Sequence, residues 1–331
     1  MKKILIGVVI ISCLMIFIRV SQGMIVFTKS ELTRDGFREF IIKEIYGQRN
    51  WWTFFYRNIC VINPDGTGFM QLTYDNASYK PAWSPDGKTI AFCSGLPPAV
   101  SLHIMNPDGS DRIEALKKQN DIYDFRWSPD GKKIMVYVES SSPRNPEEIW
   151  ISDIQNGDSI KYAGRSEWAR GWTHWSSEGS DVEKPHKRLI EGMPEETEWP
   201  EWSPDNRYLA FVYDNKLGLA DTEIVGLPEE WRQGQFDPPC NKVLHWSPDG
   251  SKILFLGGGY VSSRNVDGSG IKNLSMSVSE DACWNSDGTY IAYSASGGHK
   301  DNTEIYIMKA DGTEHIQITN TNYFHLDLDW R

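Results

Sequence analysis

A five-residue pattern recurs along this chain and limits its fold more strongly than any other feature. Trp83-Ser84-Pro85-Asp86-Gly87, Trp127-Ser128-Pro129-Asp130-Gly131, Trp202-Ser203-Pro204-Asp205-Asn206, Trp246-Ser247-Pro248-Asp249-Gly250 and Trp284-Asn285-Ser286-Asp287-Gly288 are near-copies of one another. Each is followed by an alternating apolar run such as Thr89-Ile90-Ala91-Phe92 or Tyr290-Ile291-Ala292-Tyr293, which has the period of a β-strand. The motif therefore marks a hairpin. Pro presets φ for the second turn position, Asp bonds the local backbone, and Gly takes a left-handed conformation into the next strand. Asn206 replaces that Gly once, and Asn is the residue that best tolerates positive φ after Gly.

A second turn recurs downstream as Asn63-Pro64-Asp65-Gly66, Asn106-Pro107-Asp108-Gly109, Val266-Asp267-Gly268 and Ala310-Asp311-Gly312. Strand a ends at the Trp, b follows the first turn, c precedes the second, and d follows it. Four antiparallel strands at this period make a propeller blade, with the Trp packed between neighbouring sheets. The Trp spacings, carried on to Trp330, are 44, 75, 44, 38 and 46 residues. The long one predicts an insertion between c and d over residues 157–185. Trp175-Ser176-Ser177-Glu178-Gly179 lies inside it and mimics the motif, but Ser180 to Lys187 lack strand alternation. It reads as part of the insertion, with a seventh blade as the alternative.

The two ends fit one another. Trp330 finishes a strand a with only Arg331 after it, and Met24-Ile25-Val26-Phe27 begins where a strand b belongs. The expected fold is all-β: a six-bladed β-propeller of four-stranded antiparallel blades, closed by N- and C-terminal strands that share one blade, with residues 29–56 inserted between b and c. Closure removes free sheet edges.

Residues 1–23 read as a signal peptide or N-terminal anchor: Met1-Lys2-Lys3, an apolar run from Ile4 to Ile18, then small residues Ser21 and Gly23. The propeller then occupies 24–331, in a periplasmic or extracellular setting. Ile10-Ile11-Ser12-Cys13 resembles a lipoprotein box, although apolar residues follow the cysteine. Cys60, Cys93, Cys240 and Cys283 are scattered, without the spacing of a zinc site, and read as buried thiols or as disulfides of open connectivity. A net charge of -11 without a dense basic run excludes nucleic acid as a partner and leaves the N-terminal segment as the sole membrane contact expected.

These repeats resemble the propeller of the TolB family, which carries the same Trp-Ser-Pro-Asp-Gly and Asp-Gly turns; the resemblance covers residues 24–331. Similar propellers occur as lids of prolyl-oligopeptidase-like peptidases and in oligogalacturonate lyases, where histidines hold a metal. The sequence holds no G-x-S-x-G elbow, and its His residues at 103, 174, 186, 245, 299, 315 and 325 share no position in the repeat. The reading is a non-catalytic binding propeller without cofactor or metal, taking a protein or peptide partner; a carbohydrate-binding or lyase-like propeller is the alternative.

Propellers bind through loops and the channel mouth. The face formed by the b-to-c and d-to-a connections carries Trp51, Trp52 and Tyr56, Arg144, Trp231 with Arg232, and His299 as candidate contacts. Trp168, Arg170, Trp172 and Trp175 belong to the insertion and fall on the opposite face. Strand a borders the channel, and three residues before each Trp stand Lys80, Asp124, Trp199, Val243, Asp281 and Asp327. Asp124, Asp281 and Asp327 read as solvated channel carboxylates.

Overall fold

A computed structural model describes residues 23–32, 55–96, 99–117, 122–142, 145–164, 174–176, 182–183, 198–221, 239–296, 302–321 and 323–331. Blade 1 holds β4 (Ser78–Trp83), β5 (Ile90–Leu96), β6 (Ala99–Met105) and β7 (Ile113–Leu116). Blade 2 holds β8 (Ile122–Trp127), β9 (Lys133–Ser142), β10 (Asn145–Asp153) and β11 (Ser159–Gly164). A short hairpin, β12 (His174–Trp175) with β13 (Val182–Glu183), precedes blade 3, whose described strands are β14 (Glu198–Trp202), β15 (Tyr208–Tyr213) and β16 (Lys216–Asp221). Blade 4 is β17 (Lys242–Trp246), β18 (Lys252–Gly257), β19 (Tyr260–Asn265) and β20 (Lys272–Asn273). Blade 5 is β21 (Ser279–Trp284), β22 (Tyr290–Ser296), β23 (Thr303–Lys309) and β24 (Ile316–Gln317). Blade 6 joins the two ends: β25 (Phe324–Trp330) pairs with β1 (Ile25–Leu32), then come β2 (Phe55–Ile62) and β3 (Met70–Gln71).

The ring is therefore a six-bladed propeller with a shared terminal blade, as the repeat implies. Ile25 faces Trp330 across the closing pair, and the Met24 N–H donates to the Arg331 carbonyl at 2.6 Å. The turn chemistry is equally direct. Gly87 N–H donates to Ser84 O at 2.8 Å, Asp86 Oδ1 accepts the Ser84 hydroxyl at 2.7 Å, and Gly87 has φ +68°. Asn206 sits at φ +59° in the corresponding place.

The apolar core lies between blades. Val26, Ile59 and Val61 of blade 6 meet Trp83, Ile90 and Phe92 of blade 1. Trp246 and Phe255 of blade 4 meet Ala210 and Val212 of blade 3 in the same way. Cys60, Cys93, Cys240 and Cys283 are buried free thiols.

Two expectations are corrected. Residues 157–185 are not an insertion between c and d, because Ser159–Gly164 is strand d of blade 2, paired to β10. Its tight turn lacks the Asp-Gly signal and uses Gly157 at φ +76°, whose N–H donates to Asp153 O at 3.0 Å. The extra chain instead follows strand d, and Trp175 within it is buried against Met135, Tyr137, Ile149 and Ile151 of blade 2. The b-to-c insertion of blade 6 is also shorter than 29–56, since β1 runs on to Leu32 and β2 starts at Phe55.

Candidate functional site

Innermost strands from all six blades surround an axial cavity of about 720 Å³. They supply Lys80 from β4, Asp124 and Arg126 from β8, Glu201 from β14, Lys242 and His245 from β17, Asp281 from β21, and Asp327 with Asp329 from β25. In each blade the innermost strand holds one residue more than its neighbour across a β-bulge. Bulges re-aim side chains, and here they lie at the residues that line the channel. Two of them require a strained backbone: Lys80 and Asp327 sit at φ +50° and +52°, the left-handed region that non-glycine residues seldom adopt.

Charge is organised from blade to blade. Arg126 meets Glu201 at 2.9 Å across the gap between blades 2 and 3 and approaches Asp124 at 4.0 Å. Burial opposes the Arg126 charge, but Glu201, Tyr137 and Asp124 outweigh it and hold the guanidinium above its ordinary value. Lys242 lies 3.6 Å from Asp281, whose charge raises the ammonium value against the cost of burial, helped by Asp327 and Glu201.

The carboxylates also join blades through backbone donors. Asp281 accepts Leu328 N–H at 2.8 Å, Asp327 accepts Lys80 N–H at 3.2 Å and the Thr28 hydroxyl at 2.8 Å, and Asp329 accepts Trp83 N–H at 2.7 Å. Burial pushes the Asp329 carboxyl up, with the Trp83 and Trp330 amides, Arg331 and His245 acting the other way. Asp124, Asp281 and Asp327 thus line the channel; Asp281 is buried and bonded to the Leu328 amide, and Asp327, half-buried, is bonded to Lys80 N–H and the Thr28 hydroxyl. A charge-assisted bond of this kind is among the stronger ones.

Position three before each Trp was legible from the repeat, whereas Arg126, Glu201, His245 and Asp329 were missed. They stand one before the Trp, and since residues two apart on a strand share a face, that alternation was the available signal. A second cavity of about 310 Å³ adjoins on the turn face and shares His245 and Asp329 with the first. Among the loop candidates, Tyr56 is half-exposed on β2. Trp51, Trp52, Arg144, Trp231, Arg232 and His299 lie outside the described residues, as do Trp168, Arg170, Trp172 and residues 1–22.

No family model matches the chain. TolB from Acinetobacter baumannii superposes with a TM-score of 0.59 over 93% of this chain and 66% of that one, at 16% identity. The fold is TolB-like. In sequence, this TolB-like propeller is 28% identical over 185 residues to dipeptidyl-peptidase 5 of Porphyromonas gingivalis, which is 50% of this chain and 26% of that protein. It is 23% identical over 210 residues to the uncharacterized peptidase YuxL of Bacillus subtilis, 61% of this chain and 31% of that protein. The match thus spans between a quarter and a third of the length of these relatives. That proteins named as peptidases share half of this chain overturns the expectation of a non-catalytic propeller recognising a protein partner or a sugar.

Proposed function

We propose that this chain works in peptide hydrolysis, with the TolB-like ring receiving the peptide in its axial channel. The observation that carries this reading is the sequence shared with peptidases over half of the chain. The channel suits such a substrate. Its volume of about 720 Å³ falls in the range of ligand sites. Asn241, Lys80, Arg126 and Lys242 offer donors, while Asp124, Glu201 and Asp281 offer acceptors, so an extended backbone meets partners for both its N–H and its C=O groups. The lining holds and orients the peptide; no serine, threonine or cysteine stands among the described lining residues, so the bond-breaking step is not assigned to it. An export leader over residues 1–23 puts the reaction outside the cytoplasm.

The test is to purify the protein intact from its own cells and follow the cleavage of a panel of unblocked and N-blocked peptides by mass spectrometry. Release of peptide fragments is expected, with KM raised several-fold by Arg126→Gln or Glu201→Gln. A protein that neither cleaves nor binds any peptide of the panel would exclude the proposal.

A further inference from the structure

Three arginines of the ring are matched by a carboxylate: Arg112 by Asp75 at 2.7 Å, Arg126 by Glu201 at 2.9 Å and Arg207 by Asp221 at 3.1 Å. Arg57, near the start of β2 in blade 6, is not. Its guanidinium carbon stands over the Tyr79 ring, 4.0 Å from the centroid, and its buried Nε has no acceptor. Among the described residues the guanidinium makes no hydrogen bond or ion pair. In a chain with 45 acidic and 34 basic residues, no shortage of carboxylates explains a cation left without one.

The fold holds this cation in place. Residues two apart on a strand share a face, so Arg57 extends the row of Ile59 and Val61, which pack on blade 1. Aligned on the second turn, which starts at Asn63, Asn106, Asn265 and Lys309, the same row position is Val100 in blade 1, Gly259 in blade 4 and Thr303 in blade 5, none of them charged. The Arg57 N–H donates to Asn76 O at 3.1 Å, and the side chains of Asn58 and Asn76 bond at 3.0 Å, which fixes the connection into blade 1 against β2. Tyr79, 8% exposed, is set in the core between blades 1 and 2, so the ring under the guanidinium is a fixed platform. Lys80, the next residue of β4, lines the axial channel.

A buried N–H without an acceptor is costly, and native structures hold few of them. A guanidinium carries its donors in its own plane, so contact with a ring through its face leaves them free for a carboxylate, which they match in shape. Held on a fixed ring, it also has less freedom to lose when a ligand arrives. We infer that Arg57 is a specificity-determining residue that receives a carboxylate of the peptide beside the wall of the axial channel, from the C-terminus or from an acidic side chain. The inference rests on the reading of the channel as a peptide site and adds the class of peptide it selects. A peptide's ammonium end is repelled at the same place.

The experiment is titration calorimetry on the full chain with acetylated tetra-alanine as the free acid and as the amide, and with the amide carrying Glu or Gln at its third residue. Native protein is expected to bind at least one acidic form about tenfold tighter than its neutral counterpart, the scale of one hydrogen bond to a charged group. Preference for the free acid assigns the chain end as the source, and preference for Glu over Gln assigns a side chain. Arg57→Gln is expected to abolish the preference while the neutral peptides bind as before. Arg57→Lys keeps the charge without the planar fork and retains part of it; if Arg57→Gln does not fold, the lysine variant decides. Equal binding of acidic and neutral forms, or a preference that survives the substitution, overturns the inference and leaves the channel a peptide site. Binding of none of the four overturns both readings. An Arg57-dependent preference without any cleavage upholds the inference and removes hydrolysis alone.

Discussion

Replacing Trp246 tests the principle on which the ring stands, that each blade is held to the next by an indole between sheets. Trp246 is 8% exposed, packs with Val212, Ile253 and Phe255, stacks on Tyr208 at 6.4 Å between centroids, and donates to Glu201 O at 2.8 Å. An indole of this kind buries on the order of 200 Å², and at about 25 cal/mol per Å² its transfer is worth roughly 5 kcal/mol. The alanine keeps a small part of that, and the neighbours relax partly into the hole, so Trp246→Ala is expected to cost about 3–5 kcal/mol. Trp246→Phe retains most of the ring area and loses the N–H, and about 1–2 kcal/mol follows from the bond and the smaller side chain. Urea unfolding followed by far-UV circular dichroism gives both values from the midpoint and slope. A cost below about 1 kcal/mol for the alanine variant would refute inter-blade burial as the source of stability.

Three further outcomes follow from the same geometry. Asp281→Ala strands the Leu328 N–H, which it accepts at 2.8 Å, and is expected to cost about 2–3 kcal/mol, whereas Asp281→Asn keeps an acceptor and should cost under half of that in the same unfolding assay. Gly218→Ala would put a Cβ 2.4 Å from the ring of fully buried Phe211, so a loss of at least about 2 kcal/mol is expected; a neutral result would mean that β15 and β16 are not held in this register. His325 is fully buried, and burial holds its imidazole at about 4, opposed by its bond to Thr303 O and by Glu304. A depressed folded-state value stabilises fully above the unfolded value near 6.5 and is lost as pH falls through about 4, a total of about 3 kcal/mol. The stability of the native protein minus that of His325→Asn, measured by urea unfolding from pH 7 to 4, should shrink over that interval; a flat difference contradicts it.

What the sequence determined alone is the local and periodic part of this protein. A turn depends on a handful of neighbouring residues, so Pro85-Asp86-Gly87 and its copies reported hairpins, Asn206 reported positive φ, and the complementary ends reported the shared blade, each without knowledge of the rest. The period then placed Lys80, Asp124, Asp281 and Asp327 on the channel. Only the tertiary structure decided what those groups bond to. That Asp281 accepts from Leu328, that Arg126 pairs with Glu201 75 positions away, and that Trp175 fills a seam depend on which strands the closed ring brings side by side. No spacing along the chain encodes that adjacency, because the length of chain between blades 2 and 3 is set by the connection while the distance across their seam is set by closure of the circle.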